Sequence, residues 1–92
     1  MARKKVAKAE KVRFSIKTAE AKEVKLAGDF NNWNANSGKL KKSRGNIWIK
    51  DVLLKPGRYE YKFVIDGNWI SDPDNDSRSW NSFGSENSVV EI

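Results

Sequence analysis

The stretch RYEYKFVIDGNWIS, residues 58–71, decides the fold. Tyr59, Tyr61, Phe63 and Ile65 alternate with Arg58, Glu60, Lys62 and Val64. Period-two alternation places successive side chains on opposite faces of an extended chain, so one face is aromatic and aliphatic and the other mostly charged. The run ends at Asp66-Gly67, a dipeptide suited to a two-residue hairpin turn, and NWIS then returns as the second arm. A half-buried strand with its own hairpin implies a sheet that covers a core on one side.

The same alternation recurs on either side. In VRFSIKT, from Val12, the residues Val12, Phe14 and Ile16 alternate with Arg13, Ser15 and Lys17. EVKLAGDF offers Val24 and Leu26, and Phe30 extends the series. NIWIKDVLL is a third apolar segment, interrupted in the middle by Lys50 and Asp51 and ended by the Pro56-Gly57 turn. After Asp72 a polar stretch, DPDNDSRSWNSFGSE, shows no period, and NSVVEI closes the chain as a β-branched strand. Ala, Lys and Glu over 4–11 and 18–23 support at most a marginal helical turn. Six to eight short strands with regular turn signals imply an all-β sandwich.

Ninety-two residues make one small domain. The chain has no cysteine and no histidine, which removes thiolate and imidazole chemistry together with the commonest transition-metal ligands. Catalysis would rest on carboxylates, lysine and hydroxyls alone. No cofactor and no metal is expected. No apolar run approaches a membrane span and the N-terminus lacks the core of a secretory signal, so a cytoplasmic location is expected and no membrane partner. The net charge is +6, and residues 1–11 hold +4 of it through Arg3, Lys4, Lys5, Lys8 and Lys11 against Glu10. This reads as a basic flexible tail, 1–11, on a nearly balanced domain, 12–92.

Four tryptophans distinguish the composition. Trp48 lies in an apolar strand and reads as core. Trp33, Trp69 and Trp80 lie among Asn, Asp, Ser and Gly, and three turn-associated rings exceed what one small core needs. Flat rings beside amides and hydroxyls suit sugars, whose C–H faces stack while their rims hydrogen-bond. Nucleic acid also stacks on rings but requires a basic groove. Here Asp29, Asp66, Asp72 and Asp74 accompany Lys62, which favours a neutral ligand. The run Asp72-Pro73-Asp74-Asn75-Asp76 fails as a calcium loop, with Ser77 at the glycine position and Phe83 at the glutamate position, and reads as an Asx-capped turn. A paired-carboxylate glycosidase needs a cleft more enclosed than this length readily builds.

VKLAGDFNNWN, then GNIWIKDVLLKPGRYEYKFVIDGNWISDPDN and FGSENSVV, closely resemble the family 48 carbohydrate-binding modules. These include the glycogen-binding domain of AMP-activated protein kinase β subunits and the N-terminal domains of isoamylases and glycogen-branching enzymes. The resemblance covers about residues 12–92. It implies an immunoglobulin-like β-sandwich that binds α-1,4-linked glucans without catalysing their conversion. It further implies that Trp33 and Trp69 stack on glucose rings and that Lys62 and Asn87 hydrogen-bond hydroxyls. Phe83 stands at a loop position that is leucine in the kinase domains, and Ser85 where a threonine gives a further contact. Such modules usually accompany catalytic or kinase-scaffolding regions; the starting Met1 and short tail favour a free-standing module. The alternative reading keeps the sandwich as a protein-interaction module that docks to an enzyme of glucan metabolism or a kinase. A nucleic-acid partner, held by the basic tail, is the remaining and least supported reading.

Overall fold

A computed structural model describes residues 8–92. Eight strands form two antiparallel sheets: β1 (Glu10–Lys17), β2 (Val24–Gly28), β3 (Lys41–Lys42), β4 (Ile47–Leu54), β5 (Arg58–Ile65), β6 (Asn68–Ile70), β7 (Arg78–Trp80) and β8 (Glu86–Glu91). The first sheet has the order β1-β4-β3. The second has the order β2-β5-β8-β7, with β6 added to β5. Two antiparallel sheets with this patterning make the expected immunoglobulin-like β-sandwich.

β5 is the axis of the second sheet. Its first half pairs with β8, from Arg58↔Glu91 to Tyr61↔Ser88. Its second half pairs with β6, with Ile65 opposite Asn68 across the two-residue turn. Asp66 (φ 47°) and Gly67 (φ 86°) both adopt left-handed backbone, as a type I′ hairpin requires. On its other edge β5 pairs with β2, Val24↔Ile65 to Gly28↔Tyr61.

The alternating residues of β5 point as expected. Tyr61 and Phe63 are buried with Phe14, Ile16, Val24, Leu26, Leu40, Trp48 and Leu54 between the sheets, and Tyr59, Ile65 and Phe30 pack against this core. The Phe14 ring meets Tyr61 edge-on at 4.9 Å and lies 5.4 Å from Phe30. Trp48 is 8 % exposed, a core residue as its strand context implied. Among the described residues, its indole N–H is the sole buried side-chain polar atom without a hydrogen-bond partner.

Three sequence expectations need correction. Lys50 and Asp51 do not interrupt the third apolar segment, because β4 pairs with β1 along its whole length. The charges are tolerated because Asp51 faces outward and accepts two hydrogen bonds from Arg13, directly opposite it. β1 opens at Glu10 rather than Val12, since Glu10 and Lys11 pair with Leu54 and Leu53; the basic residues over 1–7 lie outside the described residues. The aperiodic stretch after Asp72 contains a strand, β7, too short at three residues to show a period.

Both ends of the paired chain lie beside one turn. Glu10 is opposite Leu54, and Ile92 exchanges two backbone hydrogen bonds with Gly57, just past the Lys55-Pro56 step.

Candidate functional site

The outward face of β5 presents Glu60 and Lys62, alternate residues turned away from the core. Trp69 joins them because the β5–β6 register sets it opposite Val64, on the same face. Asn87 joins from β8, where it follows the same alternation outward from buried Ser88.

Trp33 reaches this face through an unusual turn. After β2, Asp29–Asn31 form one 3-10 turn, and then Asn32 (φ 54°) and Trp33 (φ 59°) both adopt left-handed backbone. Left-handed asparagine is common, but a left-handed tryptophan is strained, by roughly 1–2 kcal/mol. Local hydrogen bonds hold the turn. The Asn31 side chain accepts from Gly28 N at 3.0 Å and donates to the Leu26 carbonyl at 3.0 Å, while Trp33 N donates to the Gly28 carbonyl at 2.9 Å. The ring itself is fixed by its indole N–H, which donates to Asp29 Oδ1 at 3.0 Å. The other Asp29 oxygen accepts from Glu60 N at 2.8 Å, tying the turn to β5.

The loop between β7 and β8 supplies the remaining wall. Its tip carries Phe83, 92 % exposed, and its return carries Ser85. Lys62 Nζ donates to Ser85 Oγ at 2.8 Å, and Asn87 Nδ2 donates to Glu60 Oε1 at 3.0 Å. Glu60 also accepts from Arg58 at 2.8 Å. The Asn87 amide first and the Arg58 guanidinium second hold the Glu60 carboxyl below its ordinary range.

These residues line one open cleft of about 690 Å³. Trp33, Lys62, Trp69, Phe83, Ser85 and Asn87, all singled out in the sequence, come together there from four separate segments. Two further lining residues were missed, Glu60 and Asn81, and Asp29, read from the sequence only as acidic company of the rings, lines the cleft as well. Glu60 was legible in principle, being two residues from Lys62 on the same face. Asn81 lies in the stretch without period and carried no signal.

The acidic surroundings read from the sequence need revision. Asp66 accepts from Lys22 N and Glu23 N, so it caps a turn on the far edge of β5. Asp72 is buried, accepting from the Tyr61 hydroxyl at 2.7 Å and from Asp74 N at 2.9 Å. Burial in turn pushes the Tyr61 hydroxyl above its ordinary range. The 72–77 run is thus an Asx-capped turn, as expected, with Asn75 Oδ1 accepting from Ser77 N. The carboxylates that face the cleft are Asp29 and Glu60. Trp80 is 72 % exposed but does not line the cleft.

Chemically, the cleft offers indole and phenyl rings along its walls and a polar floor of amide, hydroxyl, ammonium and carboxylate groups. Among the described residues, no group of three or more His, Cys, Asp or Glu is placed to hold a metal ion, and no helix is long and apolar enough to cross a membrane.

Known proteins resemble the chain in sequence and in fold. The chain is similar to the protein PTST homolog 2, chloroplastic, of Arabidopsis thaliana, with 42 % identity over 53 residues, 58 % of this chain and 10 % of that protein. It is similar to the 5′-AMP-activated protein kinase subunit beta-1 of Sus scrofa, with 34 % identity over 76 residues, 82 % of this chain and 58 % of the relative. The chain therefore spans only part of these relatives. Among solved structures, the maltogenic amylase from S. marinus superposes with a TM-score of 0.73 and 28 % identity, over 87 % of this chain and 13 % of the amylase. Residues 11–92 match the family described as the glycogen recognition site of AMP-activated protein kinase, and the chain belongs to this family of carbohydrate-binding modules.

Proposed function

We propose that the cleft binds α-1,4-linked glucans of the glycogen and starch type, without catalysing their conversion. The observation that carries this reading is the convergence of Trp33, Trp69 and Phe83 on one cleft whose floor holds Lys62, Ser85 and Asn87. Trp33 and Trp69 stack on the C–H faces of glucose rings, each contact contributing about 1–3 kcal/mol by analogy with base stacking on aromatics. Lys62 and Asn87 hydrogen-bond the hydroxyls, Ser85 adds a further contact, and Phe83 extends the apolar wall over the chain. Membership of a family described as a glycogen recognition site of a kinase, together with the likeness to part of a maltogenic amylase, supports the same ligand class. It also suggests that the module serves a glucan-metabolising enzyme or kinase by holding it at the polymer.

The open cleft implies modest affinity. The test is titration of the purified protein with maltoheptaose or β-cyclodextrin while tryptophan fluorescence is followed. A saturable change lost in Trp69→Ala supports the reading. No change at millimolar ligand overturns it and leaves the cleft as a protein-docking surface.

A further inference from the structure

Asn81 is the most heavily bonded side chain of the cleft. Its Oδ1 accepts from Phe83 N at 2.9 Å and from Ser85 N at 3.2 Å. Its Nδ2 donates to Ser85 Oγ at 2.8 Å and to Asn87 Oδ1 at 3.0 Å. One amide thus touches three of the residues assigned to the ligand, Phe83, Ser85 and Asn87.

The direction of these bonds is fixed by their ends, not by the amides themselves. The Glu60 carboxylate can only accept, so Asn87 must turn its NH₂ toward Glu60 and its Oδ1 toward Asn81. Asn81 must therefore present NH₂ to Asn87. The backbone N–H groups of Phe83 and Ser85 can only donate, so they require Asn81 Oδ1 on the opposite side, and the two demands agree. A consequence follows at Ser85. Its oxygen accepts from Asn81 Nδ2 and also from Lys62 Nζ, a donor-only group. With both acceptor directions filled from the protein, the hydroxyl proton is free to point into the cleft.

We propose that Asn81 is a positioning residue that sets the hydrogen-bonding sense of the cleft, holding Ser85 as an outward hydroxyl donor and Asn87 in one amide orientation. The proposal rests on the glucan reading above and deepens it: the rim at Ser85 recognises an acceptor oxygen of the sugar rather than its hydroxyl proton. A fluorine, which accepts weakly and cannot donate, is tolerated where hydrogen is not.

Asn81→Asp is the informative change. It keeps Oδ1 for the Phe83 and Ser85 N–H groups but replaces the donating NH₂ by an accepting oxygen. The Ser85 hydroxyl then donates inward to the carboxylate, and Asn87 Oδ1 faces a repelling oxygen.

The experiment titrates wild-type, Asn81→Asp, Asn87→Ala and the double variant with maltoheptaose, and then with maltosides carrying deoxy or deoxyfluoro groups at the 2-, 3- or 6-position. Wild type should lose about tenfold in affinity for one deoxy analogue while its fluoro counterpart stays within about threefold of the parent, as expected for one hydrogen bond accepted by the ligand. Asn81→Asp should bind maltoheptaose about tenfold more weakly and no longer separate the two analogues. In the Asn87→Ala background its effect should fall to about threefold or less, because part of it acts through Asn87. Equal losses in both backgrounds, or intact deoxy/fluoro discrimination in Asn81→Asp, overturn the proposal. Should Asn81→Asp fail to fold, Asn81→Ser and wild-type amide exchange at Phe83 and Ser85 decide it: exchange of both amides at loop-tip rates shows that Asn81 holds nothing. A wild type that binds no glucan at all refutes the glucan reading itself, a distinct outcome.

Discussion

A tryptophan with left-handed backbone is a costly way to place a ring, and Trp33 shows what the cost achieves. Two consecutive left-handed residues, Asn32 and Trp33, reverse the chain after β2 quickly enough to return the indole over β5. Trp33→Gly should therefore relieve strain while deleting the ring. Retention on glycogen should be lost, with the thermal midpoint unchanged within about 5 °C or raised. Trp69→Ala should likewise abolish retention at nearly constant midpoint, because its side chain is half exposed. Calorimetry beside the binding assay checks both, and unfolding of both variants would show that the rings are core. The rings that line the cleft were legible because an aromatic among amides is conspicuous in a sequence. Asp29 and Asn81 were not, since their roles exist only after Trp33 has turned back and the Phe83 loop has closed, and no spacing announces either contact.

Among the elements, β5 and its hairpin were the most legible, because alternation over eight residues and the Asp66-Gly67 turn agree on one answer. β3 and β7 were not, since two or three residues cannot display a period. Nor did the sequence show why Gly38 is required. A Cβ there would overlap the backbone carbonyl of Leu26, where Leu26 N donates to the Gly38 carbonyl at 2.7 Å. The obstacle is backbone and cannot swing aside, so Gly38→Ala should destabilise by about 2 kcal/mol or more, read as a lower denaturant midpoint. Gly45 makes a control: a Cβ meets nothing within 4 Å, and only its φ of 66° opposes substitution, so Gly45→Ala should cost about 1 kcal/mol.

For the molecule as a whole, Glu60 links folding to pH, and on the proposed glucan reading it links binding to pH as well. Its carboxyl is held below its ordinary value of 4.5, chiefly by Asn87. A depressed carboxylate contributes stability that is fully present above its unfolded value and is lost as pH falls through the folded one. Protonation also replaces the charged, acceptor-only carboxylate by a neutral carboxyl that can donate, so the bond that orients Asn87 weakens and loses its single sense. Affinity for maltoheptaose should therefore hold as pH falls to the ordinary carboxyl value of 4.5 and drop only below it. Glu60→Gln, which still offers an acceptor to Asn87, should flatten that fall, and isothermal titration at several pH values checks it.

The turn at Lys55–Gly57 has a consequence for how the fold can be rewired. Glu10 and Ile92 flank it from different sheets, so a linker of about six residues, spanning up to about 20 Å, suffices to join them. New termini can be opened at Gly45, in an exposed turn remote from every residue of the cleft in the pairing scheme. The strands would then follow one another in a different order, β4 to β8 before β1 to β3, over an unchanged set of pairings. Such a circular permutant should fold and bind maltoheptaose within about threefold of the parent. The cleft would then depend on which strands meet, and not on the order in which the chain visits them.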